Sequence, residues 1–251
     1  MKKNLRLEIG DLCSLLQIDN LVFIETLRNE YKNFVSTKEP DITIDVKIKN
    51  KKFENAFSEP KIIFNNGRVK IERNDIKGEI NTKDNKIRVE TENNIFSFDS
   101  FLRILYSVLL VENNGFLIHA AGLSNGCIFT GPESSGKTTM AKRFPAYMVA
   151  SDELIIVRKV NGHFLLYGTP FTGEIKEGKN IKAEVKKLFI LTRDSPGGKL
   201  SAFEASAELL HNIICFTKAP IINAKLLELV CSFCSSVPCE KFNIFNNDEY
   251  N

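Results

Sequence analysis

The 251-residue chain has 43% hydrophobic residues, which is enough for a sizeable core, so the composition excludes disorder over most of the length. The charge is nearly balanced at +3, which excludes a basic arm for nucleic acid. No signal-peptide pattern follows the charged start, and no window approaches the roughly 18 to 20 apolar residues of a membrane span, so we expect a cytoplasmic protein.

The opening runs LCSLLQI and LVFIETLRNEYKNF suggest a strand and a short helix. Residues 39 to 98 then alternate apolar with polar residues and break at Asn-Gly, Asp-Asn and Asn-Asn pairs. The runs are DITIDVKIK, KIIFNNGRVKIER, IKGEINTKDNKIRVE and NIFSFD. Such alternation is typical of hairpins with one solvated face. We therefore predict a small antiparallel β-rich domain over residues 1 to 98.

A long apolar run follows in DSFLRILYSVLLVENNG. Asp99 or Ser100 can cap a helix there, which the Asn-Asn-Gly segment ends. Apolar residues cover most of the surface of this helix, so we expect it to be largely buried. We place the domain boundary near Asp99, with a second domain over residues 99 to 251.

The second domain is predicted to be α/β. Strand-like runs are FLIHAAGL, GCIFTG, AYMVASDE, the hairpin ELIIVRKVNGHFLLYGTP with a turn at Asn161-Gly162, VKKLFILTRD and CEKFNIF. Helical spacing marks SAFEASAELLHNIICF and AKLLELVCSFCSSV.

The segment GPESSGKT, from Gly131 to Thr138, fits G-x-x-x-x-G-K-[ST] between a strand and a helix-like KTTMAKRF. Glycines let the backbone turn its N–H groups inward around phosphate oxygens. Lys137 would bind the β and γ phosphates of ATP, and the Thr138 hydroxyl would bind Mg²⁺. The predicted nucleotide-binding residues are Gly131, Pro132, Glu133, Ser134, Ser135, Gly136, Lys137, Thr138 and Thr139.

An acidic pair follows at short range in AYMVASDELI, where an apolar run ends at Asp152 and Glu153. In most P-loop ATPases and GTPases the acidic strand lies much farther along the chain. Here a single short helix separates the two motifs. Phosphoryl transfer needs an aligned attacking oxygen and neutralised charge, so a carboxylate, Lys137 and Mg²⁺ form a sufficient set.

Taken together, IHAAGL, IFTGPESSGKTT and VASDE resemble the HPr kinase/phosphorylase family and its shorter kinase-like relatives, whose ATP site is similar to that of phosphoenolpyruvate carboxykinases. The resemblance covers residues 99 to 251. It implies a P-loop kinase core of the HPr kinase C-terminal-domain type, with Asp152 as the general base and Glu153 assisting at the metal. The other interpretation of Asp152 is a metal-ligand carboxylate without a base role.

Three further residues belong to the predicted site. In the related kinases a histidine at the place of His119 lies beside the catalytic aspartate; a structural histidine at a strand end is the alternative. Glu174, in the Tyr167–Glu174 loop, completes the predicted metal set of Thr138, Asp152 and Glu153, or is a solvated loop acid. Arg193 binds phosphate oxygens or is a surface charge.

The chain also departs from the family. The bifunctional enzymes carry a Glu-x-Arg-Gly stretch and an Arg-, Pro- and Gly-rich tail that grips the carrier protein HPr, whereas this chain has GEIKEG and VPCEKFNIFNNDEYN. We therefore do not expect HPr as the acceptor. The resemblance implies a kinase for a serine of a protein or peptide, or for a small molecule, and a possible homo-oligomer. The alternative is a nucleotide-binding regulator or scaffold that transfers nothing.

The segment CSFCSSVPC carries Cys231, Cys234 and Cys239 and allows a metal interpretation, because CxxC places two thiolates on one ion. A tetrahedral zinc site needs a second ligand pair, and the sequence shows none. Core or idle thiols are therefore favoured for these three, and the other cysteines stand alone in apolar surroundings that predict buried thiols.

Overall fold

The fold is that of a computed structural model, which describes residues 2–49, 58–65, 67–81, 86–175, 177–193, 195–216 and 218–244. It is a mixed α/β protein, as the sequence predicts. The chain forms two compact units, Met1–Leu109 with Phe216–Ala219, and Leu110–Cys215 with Pro220–Asn251. The division falls in the last turns of a long helix rather than near Asp99.

The first unit contains a seven-stranded sheet in the order β1-β2-β3-β7-β6-β5-β4. Its strands are β1 (Lys3–Ile9), β2 (Leu12–Ile18), β3 (Ile42–Lys49), β4 (Lys61–Asn65), β5 (Arg68–Arg73), β6 (Ile76–Asn81) and β7 (Lys86–Glu92). The prediction of an antiparallel unit is wrong in part, because β3 pairs in parallel with both β2 and β7. Alternation reports a solvated face but not strand direction, and the long connection from β2 to β3 permits parallel pairing.

Two helices accompany this sheet, α1 (Leu21–Glu30) and α2 (Ile95–Glu112), and the strand and helix predicted near the start are confirmed. Helix α2 begins earlier than predicted, because the Asn94 side chain accepts from the Phe96 N–H at 2.9 Å and so starts the helix before Asp99. The run NIFSFD is therefore helical, not a strand. The predicted burial of the helix is confirmed, with Phe98, Phe101 and Leu105 all fully buried.

The second unit is built on a ten-stranded sheet in the order β13-β12-β11-β8-β9-β14-β17-β15, with β10 and β16 also paired to β8. Its strands are β8 (Gly115–Leu123), β9 (Cys127–Thr130), β10 (Val149–Ser151), β11 (Leu154–Val160), β12 (His163–Tyr167), β13 (Lys182–Glu184), β14 (Lys187–Thr192), β15 (Gly198–Lys199), β16 (Ile213–Ile214) and β17 (Cys239–Asn243). Its helices are α3 (Lys137–Lys142), α4 (Ala202–Leu210) and α5 (Pro220–Ser236).

Three neighbouring strands, β9, β14 and β17, run parallel and therefore end at one edge of the sheet. An aromatic core fixes their positions. The Phe129 ring of β9 stacks on Phe189 of β14 with centroids 5.0 Å apart, and Phe242 of β17 meets Phe189 edge-on at 5.5 Å. Ligands of open α/β sheets bind at such carboxyl edges, so this core positions the segment that follows β9.

The predicted hairpin turn at Asn161-Gly162 is confirmed: both residues have positive φ, 50° and 87°, as a tight two-residue turn requires. Within the described residues, no helix combines the length and the apolar character that spanning a membrane requires.

Candidate functional site

The loop after β9 has a backbone that depends on its two glycines. Gly131 and Gly136 have φ of 150° and 103°. A Cβ on Gly131 would lie 2.9 Å from the Leu191 carbonyl oxygen and from Ser135 Oγ, and one on Gly136 would lie 3.0 Å from Ile244 Cδ1. Ser134 shares a left-handed backbone, with φ of 61°. Both glycines of the motif are therefore required by conformation, and Gly131 also by its close approach to the main chain of Leu191.

The buried cation of this loop is Lys137, the first residue of α3, which is 6% exposed. Its ammonium donates to the carbonyl oxygens of Gly131 and Pro132, each at 2.8 Å. Burial lowers the pKa of Lys137, and Glu133 opposes that shift. Among the described residues, Glu133 is the carboxylate that acts on the Lys137 charge, and the hydrogen bonds of the ammonium go to carbonyl oxygens instead. A buried ammonium whose acceptors are neutral carbonyl oxygens keeps a positive charge that can attract an anion.

An unsatisfied buried hydroxyl lies in the same loop. Ser135 Oγ is buried and has no hydrogen-bond partner within the part of the chain that the structure describes. The first hydrogen bond of α3 runs from the Met140 N–H to the Gly136 carbonyl at 2.8 Å, so the N–H groups of Lys137, Thr138 and Thr139 have no intrahelical acceptor. A buried hydroxyl needs a partner, and the start of α3 offers three further donors beside it.

The remaining residues of the predicted nucleotide set lie at the surface of this loop and helix. Thr138 is partly exposed, and Pro132, Glu133, Ser134 and Thr139 are exposed. The structure thus has the strand, loop and helix that the motif requires, with a buried lysine and a more accessible threonine beside it.

The acidic pair lies in the turn between β10 and β11. Asp152 is 2% exposed, and Glu153 is partly exposed. Asp152 Oδ1 accepts from the Gly173 N–H at 3.0 Å, and Oδ2 accepts from the N–H groups of Glu174 at 2.9 Å and Ile175 at 3.1 Å. The Asp152 carboxylate therefore holds a stretch of backbone, which we call the acid-binding loop, residues 168–175.

Buried hydroxyls fix the start of the acid-binding loop. Thr169 Oγ1 donates to the Leu154 carbonyl at 2.5 Å and accepts from the Phe171 N–H at 3.2 Å. Ser151 Oγ donates to the Phe171 carbonyl at 3.1 Å. Both hydroxyl residues are buried and flank the acidic pair. Sequence analysis missed this role, although TPF within an apolar segment was a signal that a hydroxyl is buried there.

Strand β8 lies between the acidic turn and the end of β9. The Ala120 N–H donates to the Glu153 carbonyl at 2.9 Å, while Ala120 is registered with Thr130 on its other side. Two strand spacings therefore separate the acidic turn from the start of the loop, or about 10 Å. His119 is partly exposed, is registered with Leu154, and its carbonyl accepts from Thr130 Oγ1 at 2.9 Å. These contacts bring His119, the acidic pair and the loop into one neighbourhood.

Glu174 and Arg193 lie farther out. The Glu174 carboxylate is exposed and forms an ion pair with Lys142 at the end of α3. Arg193 is exposed and follows β14, whose Ile190 is registered with Thr130, so it lies at the same sheet edge as the loop. Within the described residues, no group of three or more His, Cys, Asp and Glu side chains is placed to hold a metal ion.

The segment CSFCSSVPC is among the described residues. Cys231 is exposed, whereas Cys234 and Cys239 are buried, and all three are free thiols. The burial of Cys234 and Cys239 agrees with the expectation of core thiols, and Cys231 lies outside the core.

A separate concavity of about 450 Å³ lies on the charged face of the seven-stranded sheet, and none of the predicted site residues lines it.

Comparison with protein-family models and with curated proteins finds no match.

Proposed function

We propose that this chain is an ATP-dependent kinase with a P-loop core of the HPr kinase C-terminal-domain type. The observation that carries the proposal is the buried Lys137 ammonium, which two loop carbonyls hold and which forms an ion pair with no described carboxylate, next to the orphaned Ser135 hydroxyl. Both groups belong to the loop whose two glycines adopt positive φ. A triphosphate satisfies each of these requirements.

The residues fit ATP and Mg²⁺. Lys137 and the N–H groups at the start of α3 would hold the phosphates, and the Thr138 hydroxyl with a carboxylate of the acidic turn would hold the metal, which neutralises phosphate charge. Glu174 would join the metal set only after its ion pair with Lys142 opens. Arg193 would compensate charge from the neighbouring strand end.

Asp152 would act as the general base through Oδ1. A carboxylate oxygen has two lone pairs; Oδ2 already accepts two N–H bonds and Oδ1 accepts one. The open lone pair of Oδ1 would take the proton of the acceptor hydroxyl as that oxygen attacks the γ-phosphorus and ADP leaves. Because Asp152 is 2% exposed, the acid-binding loop must move before an acceptor reaches it.

Glu153 and His119 would assist Asp152 in the transfer. Glu153 would support the metal, and His119 would contact a phosphate or influence Asp152. The acceptor is a hydroxyl, of a serine in a protein or peptide or of a small molecule. We also propose that the protein is cytoplasmic and forms a homo-oligomer.

A second candidate is nucleotide binding without transfer. The burial of Asp152 under its own loop favours it, because a carboxylate engaged by three N–H groups serves equally well as an anchor. In that case the acid-binding loop would respond to nucleotide, and no acceptor would be phosphorylated.

The test is transfer from labelled ATP and Mg²⁺ to serine peptides, free serine and a cell extract. For a kinase we expect Asp152→Asn to keep nucleotide binding but lose transfer by roughly a hundredfold or more. Lys137→Met should weaken nucleotide binding itself. Wild-type transfer by Asp152→Asn would contradict the base role, and nucleotide binding without labelled product would favour the second candidate.

Asp152→Asn also affects the loop, since an amide NH₂ in place of one oxygen would oppose an N–H donor. Thr169→Val is the matched control: it loosens the same loop and leaves the carboxylate in place. Hydrogen exchange at Gly173 to Ile175 reports loop opening in both variants. If equal loop opening gives equal loss of transfer, Asp152 is an anchor rather than the base.

A further inference from the structure

The proposed function leaves out a buried amide at the carboxyl end of β17. Asn243, the last residue of that strand, is 4% exposed. Its Nδ2 donates to the carbonyl oxygens of Arg193 at 3.3 Å and of Ser195 at 2.9 Å, both on the segment that follows β14. Because both partners are acceptors, each can take one of the two amide hydrogens. A carboxylate or an alkyl group of similar size could not make these two bonds.

A second set of contacts fixes the same segment. Thr192 Oγ1 and Ser195 Oγ are hydrogen-bonded to each other at 2.9 Å, and the Ile244 N–H donates to the Thr192 carbonyl at 3.4 Å. Strands β14 and β17 are paired in parallel, with Thr192 registered with Asn243. The end of β17 therefore holds the main chain on both sides of Arg193.

This end of the sheet also lies against both glycines of the loop after β9. The Leu191 carbonyl oxygen, near the end of β14, lies 2.9 Å from the position of a Cβ on Gly131. On the other side, Ile244 Cδ1 lies 3.0 Å from the position of a Cβ on Gly136. Arg193 follows Leu191 by two residues, or about 7 Å of extended chain. A long side chain that begins there is near enough to reach an anion in the loop.

We propose that Asn243 is a positioning residue of the nucleotide site, which fixes the backbone at Arg193 so that the guanidinium is directed at the phosphates. Asn243 acts through Arg193 and does not contact the ligand. The inference rests on the nucleotide binding of the proposed function and is independent of phosphoryl transfer. A merely structural asparagine would instead stabilise the fold without changing what Arg193 contributes to binding.

The test is a double-mutant cycle on the full-length chain, with the Kd of a nonhydrolysable ATP analogue and Mg²⁺ as the readout. Arg193→Gln removes a charged donor from the phosphates and should raise Kd roughly tenfold or more. Asn243→Ala should raise Kd roughly three- to tenfold, because the guanidinium remains but is no longer held in place. The double variant should bind like Arg193→Gln alone, since Asn243 then has no guanidinium to position.

Phe242→Leu is the matched control, because Phe242 is the buried neighbour of Asn243 on β17 and its ring meets Phe189 in the core. It should lower the free energy of unfolding, as Asn243→Ala does, but change Kd by less than about twofold.

Three results would overturn the positioning role while leaving nucleotide binding intact. They are an unchanged Kd in Asn243→Ala or in Arg193→Gln, single effects that multiply in the double variant, and an equal rise of Kd in Phe242→Leu and Asn243→Ala. A wild-type chain that does not bind the ATP analogue would instead refute the proposed function together with this inference.

Discussion

At the scale of single residues, Lys137 is the side chain whose environment most constrains what the loop can bind. Burial lowers its pKa from the ordinary 10.5, whereas phosphate oxygens at the ammonium would raise it again. Between the lowered value and 10.5 the lysine of the free protein is partly neutral. The unfolded chain then binds more protons than the folded one, so the unliganded fold gains stability as the pH rises through this window.

Nucleotide binding should therefore take up a proton at alkaline pH. Near a pH of about 10, within the range where lysines titrate, we expect the calorimetric binding heat to change between buffers of different ionisation enthalpy. At a pH well below the lowered pKa, Lys137 is charged with and without nucleotide, so its contribution should vanish. Affinity should fall as the pH rises through the lowered pKa. An equal heat in both buffers at alkaline pH would show that the ammonium does not contact the ligand.

At Gly168, the start of the acid-binding loop, neighbouring main-chain atoms leave no space for a side chain. A Cβ there would lie 2.0 Å from the Lys179 carbonyl oxygen and 2.9 Å from that of Ala150. We expect Gly168→Ala to lower the free energy of unfolding by about 1–3 kcal/mol, because main chain on both sides must shift. Gly198→Ala is the control, since nothing lies within 4 Å of its Cβ. Equal denaturation midpoints for the two variants would contradict this.

At the scale of elements, the sequence predicts what is local. The strand–loop–helix around Gly131 and the hairpin turn at Asn161 follow from residue types at fixed spacing, and the structure has both. The parallel pairing of β3 was not predictable from alternation, because pairing joins strands far apart in the chain. The hydrogen bonds of the Asp152 carboxylate to the acid-binding loop were also not predicted. Their three donors are backbone N–H groups, which any sequence supplies.

The register of the first sheet has a physical basis in its charges. On its solvated face, oppositely charged residues are paired across β3, β7, β6 and β5, and we call this set the charge lattice. One row is Asp45, Arg88, Glu79 and Lys70, and the next is Lys47, Glu90, Lys77 and Glu72. The two rows have opposite signs at each strand. A two-residue slip of one strand would keep its apolar face buried but would oppose like charges.

Reversing one charge of the charge lattice should likewise place like charges opposite each other and destabilise the sheet. Glu90 is registered with Lys47 and Lys77, and the hydrogen bond from Lys49 holds the pKa of Glu90 below its ordinary value. We expect Glu90→Lys to destabilise the fold by about 1 kcal/mol, and less in high salt. Lys3→Glu reverses a charge in the same sheet opposite Ile18 and should change little. A salt-independent loss would point to a cause other than charge.

At the scale of the whole molecule, the chain forms two compact units. Ile44 and Val46 of β3 are fully buried in the first unit, and Phe129 and Phe189 are buried in the second. All of the proposed nucleotide-binding residues belong to the second unit. A ligand stabilises only the structure that it binds, so each unit can report separately on whether the nucleotide reaches it.

We therefore expect a nonhydrolysable ATP analogue with Mg²⁺ to protect one unit only. At a hundredfold excess over Kd the second unit should gain about 2.7 kcal/mol, which slows hydrogen exchange of its most protected amides about a hundredfold. Amides of β9 and β14 should show this effect, and amides of β2 and β3 should exchange as they do without ligand. In Lys137→Met the protection of β9 and β14 should be lost. Equal slowing in β2 and β3 would mean that the two units unfold together. Slowing in β2 and β3 alone would place the nucleotide on the first unit and exclude the Gly131–Thr138 loop as its site.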